Sequence, residues 1–280
     1  PWLADRKQQR EQPEGYTGVP KDYLTEEIAS FFDRSDETNP PYNRVLAPVN
    51  TYIALAMLAE VTDSETREEI LSAVHIDTLE TLRDNAHAVW MANYCDDGAL
   101  TSVMASSLWL SDTLRYREET IAALSENYFA SVYQGRMGDT DYDRALRDWI
   151  DTQTGGLLQE SSKNVYLDPL TAFSLVTTSA YQAHWTAKFS PSATENGSFH
   201  GVEGDVECAY MKQSGDRSYY WSDRFAAIGL SLRESGTMWL LLPDEGVDAA
   251  SLLADGDGTA FLLCGGGNTD SKRVIVHLSL

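Results

Sequence analysis

Phe173-Ser-Leu-Val-Thr-Thr-Ser-Ala-Tyr-Gln-Ala-His-Trp185 is the stretch whose reading decides the fold. Taken with a period of two, Phe173, Leu175, Thr177, Ser179, Tyr181, Ala183 and Trp185 share one face, and Val176, Thr178, Ala180, Gln182 and His184 share the other. A run of about 13 residues exceeds the usual strand, so it predicts a tall sheet.

Upstream of this strand the chain reads as helical. Residues 1–20 are polar and punctuated by Gly and Pro, which predicts a flexible arm. From Lys21 to Phe32 the apolar residues Leu24, Ile28, Phe31 and Phe32 recur at helical spacing, and Asn39-Pro40-Pro41 closes the region. Arg44 to Ala47 reads as a short extended piece. Pro48 is suited to a first helical turn, and Ile53, Leu55, Ala56, Leu58 and Ala59 predict a buried helix behind it. Further helices follow through Ile70 to Val74 and through Leu79 to Trp90. Ala99 to Leu110 reads as a strand, Arg117 to Tyr128 as a helix and Ala130 to Gln134 as a strand. An amphipathic helix from about Asp141 to Thr154 carries Leu146, Trp149 and Ile150 and ends at Gly155-Gly156.

Downstream, Val206 to Lys212, Arg217 to Ser222, Ala226 to Leu232 and Thr237 to Leu242 read as strands, with two short helical stretches between Val247 and Leu263. The final run, Arg273 to Leu280, has the texture of a strand still under way, so the expectation is a chain cut inside its fold. The fold class expected is α+β, with helices first and sheets after.

Composition narrows the function. The chain has 280 residues and a formal charge of −22, which repels a phosphate backbone and argues against nucleic acid as a partner. Hydrophobic residues make up 42%, enough for a packed core. No stretch approaches the roughly 18 apolar residues of a membrane span, so no membrane partner is expected. Cys95, Cys208 and Cys264 are odd in number and far apart, and they read as free thiols. The five histidines lack ligand-like spacing, and no cofactor or metal is expected. Gly256-Asp-Gly258 and Cys264-Gly265-Gly266-Gly267 meet neither the dinucleotide nor the P-loop pattern and read as a loop. No G-x-S-x-G or H-E-x-x-H occurs. Asp139-Thr-Asp141-Tyr-Asp143 sits at a helix start, where negative charge is stabilising, and it localises no catalytic pair. Asn196-Gly-Ser198 fits the N-glycosylation acceptor pattern, which recurs by chance. A glycan-active enzyme, suggested only by 43 acids and many aromatics, has no localised site.

Three ordered motifs carry a resemblance. Asn43-Arg-Val-Leu-Ala-Pro48-Val-Asn-Thr-Tyr-Ile-Ala-Leu55-Ala-Met-Leu58 is followed by Thr66, Ile70 and Leu71; Trp149-Ile150 is followed by Thr154, Gly155 and Leu157-Leu158. Trp185, Phe189, Thr194 and Phe199 then follow the long strand with the spacing W-x3-F-x4-T-x4-F. Val206, Met211-Lys212 and Met238 through Leu240-Leu-Leu-Pro243-Asp-Glu-Gly246 continue the series. Together they resemble the serpins, the large serine-protease-inhibitor family, over about residues 21 to 280.

The resemblance implies a serpin fold, with N-terminal helices on a large mixed sheet A beside sheets B and C. It implies a consumed inhibitor with no catalytic residue of its own. A target serine or cysteine protease cuts an exposed bait loop, which then inserts into sheet A as a new strand. It also implies an extracellular protein. By resemblance the strand from Phe173 is the third strand of sheet A, and Trp185 marks the breach where insertion begins. The shutter at mid-sheet falls on Ala47, Pro48, Asn50 and Thr177. The family usually has serines where Ala47 and Asn50 stand and an asparagine where Thr177 stands, so a non-inhibitory binding or carrier role is the alternative. The remaining strands of sheet A, the bait loop and the C-terminal hairpin lie past Leu280 in the family pattern. Without them the resemblance implies exposed apolar sheet faces and self-association.

Overall fold

The computed structural model describes residues 18–33 and 43–280, apart from 99, 202–203, 234 and 268. Residues 1–17 of the expected arm and the Asn39-Pro40-Pro41 stop lie outside the described residues. Among the described residues the chain forms a first unit of residues 18–24 and 47–182, and a second of residues 25–33, 43–46 and 183–280. Helix α1 (Lys21–Phe32) contributes to both.

The first unit contains helices α2 (Pro48–Val61), α3 (Ser64–Ala73), α4 (Leu79–Asn93), α5 (Glu118–Asn127) and α6 (Thr140–Gln153). Its strands are β1 (Cys95–Asp96), β2 (Leu100–Ser111), β3 (Ser131–Gly135) and β4 (Phe173–Ala183). Local chemistry sets the helix starts. Pro48 opens α2. The Thr78 hydroxyl accepts the Thr81 N–H at 3.1 Å at the head of α4. Asp139 caps α6, its carboxylate accepting from the N–H groups of Asp141 and Tyr142.

β2 is the hub of a four-stranded sheet, pairing with β1, with β3 in parallel and with β4. Both faces of this sheet are covered. Met104, Leu108 and Leu110 of β2, with Phe173 and Leu175 of β4, pack against Ile53, Met57, Leu82, Val89 and Leu124 from the helices. The alternate residues, Ala105 and Trp109 of β2 and Val176 of β4, pack against Leu146, Trp149 and Ile150 of α6. The period of two thus sorts β2 into two apolar sets, as a sheet between two layers requires. At the N-terminal edge Val19 packs on the helical cluster, and the Gly18 carbonyl accepts from Asn85 at 3.0 Å.

The second unit is mainly β. A hairpin of β5 (Glu195–Gly201) and β6 (Gly204–Tyr210) stands as its own two-stranded sheet. β7 (Lys212–Trp221), β8 (Phe225–Leu232), β9 (Gly236–Pro243) and β10 (Asp270–Ser279) form a second sheet in the order β10-β7-β8-β9. Helices α7 (Ala249–Ala254) and α8 (Asp257–Leu263) supply Leu252 and Phe261, which pack with Phe225, Ala227, Tyr220 and Trp239. The glycines read as a loop have specific uses here. Gly256 takes a φ of +89° at the α8 N-cap, and a Cβ on Gly266 would lie 2.7 Å from the Tyr220 ring.

Candidate functional site

The long strand observed, β4, stops at Ala183 rather than Trp185. Its lower half is enclosed on both faces; higher up, Thr178 and Ala180 are buried while Ser179 and Tyr181 are exposed. Antiparallel pairing to β2 follows from the Ser111 N–H bonding to the Ala172 carbonyl at 2.9 Å and the Ser107 Oγ to the Val176 carbonyl at 3.4 Å. That register carries Thr177 alongside Ser106 on the face toward the helices. Within the first unit, no described strand pairs with the second edge of β4.

Ala47 is the N-cap of α2 and has no hydroxyl to offer; its carbonyl accepts the Asn50 N–H at 2.9 Å. The Pro48 carbonyl accepts from the Tyr23 hydroxyl at 3.3 Å. Among the described residues no side-chain hydrogen bond joins Asn50 to Thr177. The polar network at mid-sheet is instead made by residues not singled out from sequence. Ser107 is fully buried and accepts from Trp109 Nε1 at 2.9 Å while reaching Val176. On the same face Thr178 is buried, and its Oγ1 meets no hydrogen-bond partner among the described residues. The visible signal is Ser106-Ser107 inside an otherwise apolar strand, where a hydroxyl must be satisfied by a neighbour.

Trp185 belongs to the second unit and sits in a fork. β7 and β8 are paired only from Tyr219 to Trp221 and from Ala226 to Ile228, after which they part. The segment from His184 to Phe189 occupies the opening. Trp185 bridges Leu232, the Thr186 N–H bonds the Ser231 carbonyl at 2.9 Å and the Arg233 N–H bonds the His184 carbonyl at 2.7 Å. From the other lip Gln213 Nε2 donates to the Ala187 and Lys188 carbonyls, each at 3.1 Å. Trp185 and Phe189 meet edge to face at 5.8 Å between ring centres, so the first two aromatics of the motif form one contact. Arg217 completes the fork, with its Nε buried and unpartnered among the described residues. Among the described residues no cluster of three or more metal-ligating side chains occurs.

Comparison with known proteins adds the family dimension. A family model described as "Serpin (serine protease inhibitor)" matches residues 28–255. An uncharacterized serpin-like protein of Thermococcus kodakarensis is 27% identical over 228 residues, covering 78% of this chain and 53% of its own length. Among solved structures, the native state of the thermophilic serpin tengpin matches with a TM-score of 0.79 at 17% identity, covering 95% of this chain and 68% of its own. Reactive-loop-cleaved human thyroxine-binding globulin matches with a TM-score of 0.78 at 18% identity, covering 94% and 78% respectively. The structural likenesses establish the fold. The chain spans about half the length of the Thermococcus relative.

Proposed function

Because the chain belongs to the serpin family, we propose that it forms part of a protease inhibitor that works by bait-loop cleavage and insertion, with residues 21–280 as its serpin domain. The observation that carries this reading is the family match over residues 28–255, joined to a long strand β4 that lies in a sheet covered on both faces. An inserted strand of similar length gains ladder hydrogen bonds worth about 1 kcal/mol each, together with the burial of alternate side chains. In this scheme the inhibitor supplies no catalytic group and is consumed once. The partner is a serine or cysteine protease, and secretion is proposed with it.

The proposed site residues follow the same scheme. Ala47, Pro48, Asn50 and Thr177 are the shutter, and Trp185 is the breach, where its fork holds the top of the long strand's continuation. The test extends the chain to its encoded end and mixes it with chymotrypsin-, trypsin- and elastase-like enzymes. A denaturation-resistant covalent complex is expected, and cleavage without one refutes inhibition.

A second reading, a non-inhibitory binding or carrier role, is favoured by the chemistry at mid-sheet. Ala47 lacks a hydroxyl, and Thr178 Oγ1 has no described partner. The hydrogen bonds described at mid-sheet run through Ser107, Trp109 and Val176 and do not tie Asn50 to Thr177. In this case cutting the loop of the full protein leaves the melting temperature nearly unchanged, whereas insertion raises it sharply.

A further inference from the structure

At one end of the first unit, where β2 turns toward α5, lies a hollow of about 400 Å³. Its floor is apolar, built from Leu108 and Leu110 of β2, Leu114 of the turn, Ile121 of α5 and Phe173 of β4. Leu108 and Leu110 are almost wholly buried, so this floor is the outer surface of the main core. Its rim is cationic. Arg67 of α3 is held in place by its Nε donating to the Ala59 carbonyl at 2.9 Å and by a second bond to the Thr62 carbonyl. Arg115 and Arg117 flank Tyr116 in the turn, are exposed, and have no side-chain partner among the described residues.

The charge balance is unusual for this chain. Acids outnumber bases by 43 to 21 overall, yet three guanidinium groups edge one hollow. Two acids line it. Glu60 is engaged by Arg83 at 2.8 Å and by the Tyr128 hydroxyl at 3.3 Å, which leaves Asp63 as the one exposed acid on the rim. An apolar floor edged by Arg115 and Arg117, which have no side-chain partner among the described residues, and by Arg67, which is bonded to main-chain carbonyls, matches an amphipathic anion. The hydrocarbon displaces water from the leucines, and the head group takes charge-assisted hydrogen bonds from the rim. Arginine suits a planar carboxylate, which it can grip with two parallel N–H bonds.

We propose that this hollow binds an aliphatic carboxylate of medium chain length, with the tail on Leu108, Leu110, Leu114 and Phe173 and the head between Arg115 and Arg117. The site needs neither a bait loop nor a protease, so its test is independent of the inhibitory reading. The experiment is calorimetric titration of the chain with hexanoate, octanoate and decanoate, with uncharged decanol as the control. One saturable site is expected, tightening about fourfold for each added methylene until the floor is covered. The double variant Arg115→Gln/Arg117→Gln changes only exposed side chains, and its unliganded melting curve is expected to overlay that of the parent. It should lose tenfold or more in decanoate affinity and none in decanol affinity. The proposal is overturned if decanol binds as tightly as decanoate, if the double variant binds decanoate unchanged, or if millimolar decanoate gives no saturable heat.

Discussion

Replacing Arg83 by Met tests the account of the helical layer most directly. Glu60 lies near the end of α2, is 9% exposed, and receives Arg83 Nε at 3.2 Å, Arg83 Nη2 at 2.8 Å and the Tyr128 hydroxyl at 3.3 Å. Hydrogen bonding to Glu60 in turn holds the Arg83 guanidinium above its ordinary range. Removing Arg83 strands a buried carboxylate with one hydroxyl for company. Breaking such a pair from one side costs about 3 kcal/mol, toward the low end for buried pairs because the Arg83 side chain is itself 32% exposed. Replacing Glu60 by Met costs about 2 kcal/mol. Arg83 can then turn to water, and the main loss is the acceptor of Tyr128, a residue only 1% exposed. Once Glu60 is gone, removing Arg83 costs almost nothing more, so the double variant also sits about 2 kcal/mol below the parent. The cycle therefore predicts a coupling energy of about 3 kcal/mol, read from urea midpoints at constant slope. If Arg83→Met costs the same with and without Glu60, the guanidinium contributes through its packed stem, and the ion-pair reasoning is wrong.

Burial pushes the Tyr142 phenol up to about 12 and raises that of Tyr128 as well. A folded pKa above the unfolded value of about 10 contributes stability in full below pH 10 and loses it as pH climbs toward 12. Urea midpoints should fall across that window, and Tyr142→Phe should make the fall shallower while the part owed to Tyr128 remains. Asp139→Ala removes the acceptor for two N–H groups at the head of α6 and should cost about 1 kcal/mol, measured by the same unfolding curves. Gly229→Ala would place a Cβ 2.7 Å from Thr237 Cγ2 and 3.2 Å from the Trp239 ring, costing about 1–3 kcal/mol and lowering the melting temperature. The β8–β9 face exposes Met238 and Leu242, beside a hollow lined by Ile228, Leu240, Val276 and Leu278. Sedimentation should show self-association of the chain that Leu242→Glu weakens, and a monomer at all concentrations would argue against it.

Much of this architecture is legible in the residues because local and tertiary preferences agree. Lys21–Phe32 and Pro48–Val61 begin where the periodicity and the proline place them, and β2 covers nearly the whole of the small-residue run from Ala99. The departures come where partners distant in sequence decide. Trp185 leaves the strand because its backbone pairs with Leu232, some 47 residues away by number. β7 begins at Lys212 rather than Arg217, since ten pairs with β10 extend Ser214-Gly215-Asp216 against their weak strand preference. β5 shows no alternation to read, being exposed on nearly every residue and held only by its hairpin partner. Mid-sheet chemistry is the part least legible in the sequence. The buried hydroxyls at Ser107 and Thr178 gain meaning only when β2 and β4 are laid side by side.

The fork at Trp185 has a mechanical corollary. With ten rungs between β10 and β7, eight between β8 and β9, and only three joining the two pairs, that sheet is a couple of stiff ribbons stitched by a short seam. A pull on one ribbon reaches the other mainly through the wedge of residues 184–189. The indole at the tip of that wedge is therefore placed to report, by a change in its emission, whenever the stitches part.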